Sequence, residues 1–135
     1  MRILISGCLL GVCCRYDGAS KPHPLAMALA ERYELVPVCP EQLGGLATPR
    51  PPAERQGERI VAKTGLDVTE QYRRGAEEAL KLYRLLKCDA AVLKERSPSC
   101  GSQTESRAKH KDYKQGCEKF HEFHILSFII FKPQR

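Results

Sequence analysis

The chain has 135 residues, 42% of them hydrophobic and 28% charged, which suits one soluble domain with a packed core rather than two domains. No stretch reaches the ~18 uninterrupted apolar residues that a membrane-spanning helix needs. The formal charge of +6 leaves room for an anionic partner, nucleic acid included, but 7 Lys and Arg against 4 Asp and Glu in residues 101–135 put half of it in the tail, and the plainer reading is a solvated basic surface.

Ile3-Leu4-Ile5 is a short apolar run ended by Ser6 and Gly7, the pattern of a buried strand. The N-terminal run is too short for a secretory signal, and Gly11, Arg15 and Asp17 follow before any cleavage site, which points to a cytoplasmic protein. Residues 24–33 open with proline at a first helical position and set Leu25, Ala28, Leu29 and Tyr33 on one face. Leu35-Val36-Pro37-Val38 predicts a second strand leading into Cys39, with Pro37 placing it at a sheet edge. Residues 40–60 are rich in Gly and Pro and show no period, so they read as a long functional loop. Asp67 or Thr69 then caps a helix whose apolar stripe is Tyr72, Ala76, Ala79, Leu80, Tyr83 and Leu86. Ala90-Ala91-Val92-Leu93 predicts a third strand, followed by the turn-rich KERSPSCG.

Strand, helix, strand, loop, helix, strand implies parallel strands joined by crossovers: an α/β, Rossmann-like three-layer domain with a short parallel sheet. Cys8 follows the first strand, Cys39 the second and Cys100 the third. Parallel strands end along one edge, where ligands bind in open α/β sheets, so three cysteines distant in sequence converge.

Seven cysteines are many for this length, and no export signal suggests a disulfide scaffold. Cys8 lies in SGCLLG, Cys39 in VCPE and Cys100 in RSPSCG, where Ser97 and Ser99 can donate to thiolates or substrate. Cys13 and Cys14 are adjacent, which is not zinc-ribbon spacing, and Cys14 is a fourth candidate ligand or a redox partner. Cys13, Cys88 and Cys117 read as structural. Glu41, two residues after Cys39, is the candidate general acid and base. Arg15, Tyr16 and Asp17 either anchor a polar heterocycle or form an ordinary turn; Arg50 either orients an anion or braces the long loop.

Taken together, SGCLLGVCCRYDG, VPVCPEQLGGLATPRPPAE, the DVT segment, GAEEAL and LKERSPSCG resemble the 2-thiouracil desulfurase-like family, in order from about Met1 to Gly101. The resemblance implies a Rossmann-like fold, a [4Fe–4S] cluster and non-redox removal of sulfur from a small thiolated pyrimidine such as thiouracil. It implies Cys8, Cys39 and Cys100 as ligands, with Cys14 a weaker one because relatives can lack it, and Glu41 and Ser99 as catalytic groups. After Gly101 the family's Gly-rich stretch, helix and closing strand are not recognisable. The break divides the chain into a family-like region, 1–101, and a divergent basic tail, 102–135, and suggests a frameshift or a truncated paralogue. A strand at Ile125–Phe131 is compatible with that tail. The rival functions are a non-catalytic cluster-binding or RNA-associated module, which no RNA motif supports, and an inactive family member.

Overall fold

The computed structural model describes residues 1–94, together with the backbone of residues 120–125 and 128–133. Its main sheet has five strands in the order β2-β1-β5-β7-β6. In chain order these are β1 (Arg2–Ser6), β2 (Glu34–Val38), β5 (Ala90–Lys94), β6 (Phe120–Ile125) and β7 (Phe128–Pro133). A hairpin of β3 (Ala53–Gln56) and β4 (Arg59–Ala62) forms a second small sheet, and the helices are α1 (Pro24–Leu29), α2 (Pro40–Leu43) and α3 (Thr69–Leu85).

Alternation along the parallel strands builds two core layers. Ile3 and Ile5 of β1 and Ala90 and Val92 of β5 face α1, whose Ala26 and Leu29 pack on them. Leu4, Val38, Ala91 and Leu93 face the other way, onto Tyr83, Leu82 and Leu86 at the end of α3. Period-two alternation with both faces buried is what places a helix on each side of a parallel sheet. Strand β1 runs parallel to β2 and β5, with Ile5 opposite Pro37 and Val92. Pro37 thus lies on the edge strand, where its missing amide is tolerated. At the other end, β7 runs antiparallel to both β5 and β6. The tail therefore contributes two strands where one was expected at Ile125–Phe131.

The expected loop over residues 40–60 is partly structured. Cys39 and Pro40 open the short helix α2, and Gly57, at φ 66°, turns the β3–β4 hairpin. The hairpin escaped notice because Glu54, Arg55, Gln56 and Arg59 dilute any strand signal. Its anchorage is a satellite core of Ile60, Ala62, Val68 and Tyr72, with Leu46 and Ala53 against it. Asp67 accepts the Thr69 backbone N–H at 2.9 Å where α3 begins; of the expected stripe Tyr72, Ala79 and Tyr83 are buried, Ala76, Leu80 and Leu86 are half-buried, and Gly75, outside the expected stripe, is buried as well.

Helices α2 and α3 meet backbone to backbone. A Cβ on Gly44 would fall 1.9 Å from the Gln71 carbonyl oxygen, and one on Gly75 would fall 1.8 Å from that of Pro40. Neither neighbour is a flexible side-chain end, so neither can move aside. We expect Gly75→Ala to destabilise the chain by about 3 kcal/mol in urea unfolding, with Gly57→Ala costing only ~1 kcal/mol, since Gly57 strains its backbone but meets no neighbour. Equal losses would mean that the close helix contact does not constrain the fold.

Candidate functional site

The C-terminal ends of β1 and β2 each release a cysteine. After β1 the chain enters a single 3-10 turn, Gly7–Leu10, closed by Gly11 in the left-handed region at φ 91°. Cys8 lies in this turn with its carbonyl accepting the Lys21 N–H at 2.9 Å. The chain then doubles back so that Cys14 comes to rest by Gly7, where an added Cβ would stand 3.5 Å from the Cys14 sulfur. Cys39 directly follows β2 and occupies the position before the first turn of α2, so that the Gln42 N–H is aimed at its sulfur.

Three thiols meet here. Cys14 lies within hydrogen-bonding reach of both Cys39 and Cys8, and the Cys39 thiol also donates to the Cys14 carbonyl at 3.5 Å. Cys8 and Cys14 are buried and Cys39 is half-buried. The hydrogen bond from Cys39 lowers the pKa of Cys14, but the Cys8 hydrogen bond, burial and the Cys8 charge together outweigh it and raise it. Cys39 is pushed far up, first by its hydrogen bond to Cys14 and then by burial. Thiols so arranged do not ionise together unless positive charge comes between them.

Arg50 lies behind the thiols with its side chain only 4% exposed. Its Nε donates to Glu41 Oε1 at 3.3 Å; Nη1 donates to the Ala47 carbonyl at 3.1 Å and Thr48 Oγ1 at 2.9 Å. Nη2 donates to the Cys14 carbonyl at 2.9 Å and points at the Cys39 sulfur from 3.9 Å. Burial works against its charge, but the Glu41 carboxylate, aided by Cys39 and Tyr72, more than offsets this and raises the pKa, so the guanidinium remains charged. Glu41 Oε1 also accepts the hydroxyl of Tyr72, from the first turns of α3. Tyr72 was legible only as part of an apolar stripe; nothing in its spacing marks the hydroxyl as a partner of Glu41.

The remaining expected residues divide clearly. Arg15, Tyr16 and Asp17 form a turn: Asp17 accepts the Ala19 N–H at 3.0 Å and pairs with Arg15 at 3.5 Å, while Arg15 lies over the Tyr16 ring at 5.8 Å. That turn adjoins the site, since the Tyr16 carbonyl accepts the Arg50 backbone N–H at 2.8 Å. Ser97, Ser99 and Cys100 fall outside the described residues. The end of β5, from which they follow, is nevertheless tied to the end of β1, because buried Ser6 accepts the Lys94 N–H through its Oγ at 3.0 Å. Cys88 is buried against the α3 face of the sheet, away from the other thiols, and Cys13 is exposed.

The donor set fits an iron–sulfur cluster. It is made of thiols, it has N–H groups from Arg50 and Gln42 aimed at the Cys39 sulfur, and it needs an inserted cationic group before all its thiols can ionise. Among the described residues no three Cys, His, Asp or Glu side chains are grouped to hold a single metal ion. The described residues also include no helix long and apolar enough to cross a membrane.

Comparison with known proteins agrees with this chemistry. A family model described as 2-thiouracil desulfurase matches residues 3–123, and the chain belongs to that family. It is 42% identical over 110 residues to the uncharacterized protein YbbK of Bacillus subtilis (strain 168), covering 74% of this chain and 73% of that protein. It is also similar to the solved structure of the [4Fe–4S]-dependent thiouracil desulfidase TudS, with a TM-score of 0.69 and 52% identity, over 75% of this chain and 68% of that one.

The raised thiols give the metal-free chain a pH signature. Cys14, Cys39 and Cys88 hold their protons more tightly folded than at the ordinary thiol value of 9.0, Cys88 mainly because of burial. Their contribution to stability is complete below that value and is lost as pH rises through the folded-state values. The melting temperature of the metal-free protein should therefore hold up to about pH 9 and fall as pH rises above it, and fall less in Cys88→Ala. An identical fall in both proteins would show that Cys88 is not held protonated by the fold.

Proposed function

We propose that this protein removes sulfur from a thiolated pyrimidine such as thiouracil, without net oxidation or reduction, with a [4Fe–4S] cluster held by Cys8, Cys39 and Cys100. The observation that carries this reading is the meeting of the Cys8, Cys14 and Cys39 thiols at the ends of two parallel strands, beside Glu41 and Arg50. When bound, such a cluster supplies a soft Lewis acid matched to sulfur. The chain's own residues supply position and protons. Glu41 is held by Arg50 and Tyr72 two residues beyond Cys39, and its role is to move protons as water oxygen bonds to the thiocarbonyl carbon and sulfur departs as hydrosulfide. Carbon exchanges a C=S for a C=O bond, water supplies the oxygen and both protons, and no electrons are transferred.

Ser99 acts as a hydroxyl partner in this reading, and Ser97, Arg15, Tyr16 and Asp17 shape the substrate side. The position of the Arg15–Asp17 turn, hydrogen-bonded to Arg50 through the Tyr16 carbonyl, supports that. Cys14 is the ligand that distinguishes two versions of the site. With it, all four irons would have a cysteine; without it, one iron would remain open for substrate, which is the version we favour for catalysis.

The parallel order β2-β1-β5 between two helical layers supports a Rossmann-like description. The free thiols of Cys13, Cys14, Cys39 and Cys88 suit a reducing cytoplasm. We read residues 1–101 as the cluster-binding unit and 102–135 as a divergent tail of frameshift origin, although the family match runs on to residue 123. Translating the source DNA in its other frames checks this: a family-like continuation after Gly101 is expected, and its absence would remove the frameshift.

Anaerobic reconstitution with iron and sulfide should give about four irons per chain with broad absorption near ~400 nm, lost in Cys8→Ala, Cys39→Ala and Cys100→Ala. Cys14→Ala should retain both, and loss there would make Cys14 a ligand. Glu41→Gln should keep the iron and lower sulfide release from 2- and 4-thiouracil by about 10²–10⁴-fold. Unchanged turnover would take Glu41 out of the reaction.

A further inference from the structure

We infer that Arg50 is a positioning residue, one buried guanidinium that holds the seat of the cluster and the proton-transferring carboxylate in register, rather than a contact for substrate. This deepens the reading above and rests on it.

Arginine offers five N–H donors in a rigid planar fork. Here Nε is directed at Glu41, Nη1 at the Ala47 carbonyl and Thr48 hydroxyl, and Nη2 at the Cys14 carbonyl and Cys39 sulfur. With its side chain 4% exposed, the group has neither surface nor uncommitted geometry for an incoming heterocycle. What it touches instead spans the site. The Cys14 carbonyl belongs to the segment after β1, Cys39 directly follows β2, Glu41 lies in α2, and Ala47 and Thr48 lie in the segment that follows α2. These segments are also joined by the Cys39 thiol's contact with the Cys14 carbonyl, by Gln42 Nε2 donating to Thr48 Oγ1 at 2.8 Å and by the Arg50 backbone N–H on the Tyr16 carbonyl, but the Arg50 fork reaches all of them at once. Removing the fork lets Glu41 and Cys39 adjust independently of Cys14. Lysine keeps the charge but, as a single ammonium on a flexible stem, does not reproduce five diverging contacts. Thr48→Val removes the Nη1 contact, and with it the bond from Gln42 Nε2 to the same hydroxyl, and leaves the charge untouched.

The experiment loads wild type, Arg50→Lys and Thr48→Val with cluster, and follows iron release to a chelator alongside steady-state sulfide release from thiouracil. Arg50→Lys should lose iron about 10–100-fold faster and show a kcat lowered by a similar factor with KM unchanged, the range typical of groups that hold metal ligands from behind. Thr48→Val should move both quantities the same way by a smaller factor. A raised KM in Arg50→Lys, with kcat and iron release unchanged, would make Arg50 a substrate contact and overturn the inference. If Arg50→Lys does not fold, Thr48→Val decides: iron release at the wild-type rate overturns it.

A measurement on the metal-free chain separates this inference from the functional reading. Nitrogen-15 NMR of the arginine side chains should resolve slowly exchanging Nη–H signals for Arg50 in wild type, lost or averaged in Glu41→Gln. Their presence supports the brace even if wild type takes up no cluster, an outcome that would refute the proposed function instead. Rapidly averaging signals in the wild-type chain would overturn the brace whatever the cluster does.

Discussion

Two glycines set the spacing on which the site depends. Gly44, at the end of α2, and Gly75, in the middle of α3, bring the backbones of two helices into direct contact through the carbonyls of Gln71 and Pro40. At that separation Tyr72 reaches Glu41, and Cys39, immediately before α2, is held at a defined distance from the sheet. Were the helices a side chain apart, α3 would still cover the sheet through Tyr83 and Leu82, but its first turns would no longer touch the segment carrying Cys39 and Glu41. One helix thus does two jobs. Its C-terminal half buries apolar surface, and its N-terminal half props the site.

The site itself is a balance of buried charge. Crowded thiols favour their protonated forms, and the nearest permanent cation, Arg50, is already committed to Glu41. Arg50 alone therefore does not convert the three thiols into thiolates; a thiophilic, positively charged group does. The same crowding that is unfavourable in the metal-free protein becomes a preference for such a group once it is bound. Burying a guanidinium is unfavourable unless each donor finds an acceptor, and the chain meets that condition with two carbonyls, a hydroxyl and a carboxylate.

Much of the architecture was legible from the apolar runs. Ile3–Ile5, Leu35–Val38 and Ala90–Leu93 became the three parallel strands, and Pro37 marked the edge. Convergence of cysteines after the first two strands followed from that order. The hairpin at 53–62 was not legible, since four-residue strands rich in Arg, Glu and Gln carry no period and are held by Ile60 and Ala62 against Val68, just before α3, and Tyr72 within it. The inward turn of Cys14 was equally hidden, because it depends on the reversal after Gly11 and on acceptance of Arg50 from 36 residues away. Arg50 read equally well as an anion contact or a brace, and only its set of partners separates the two.

Pro37 has a consequence for how copies of this protein behave near one another. The Glu34 N–H bonds to the Met1 carbonyl, on the β1 side, so alternate residues Val36 and Val38 also turn toward β1, while Leu35 and Pro37 turn outward. Of the two outward positions, one has no amide hydrogen. A strand from a second molecule approaching this margin finds a single N–H donor, at Leu35, and a ladder needs a repeating row of them. The open side of the parallel sheet is thereby a poor template for edge-to-edge aggregation, a protection that resides in one imino acid.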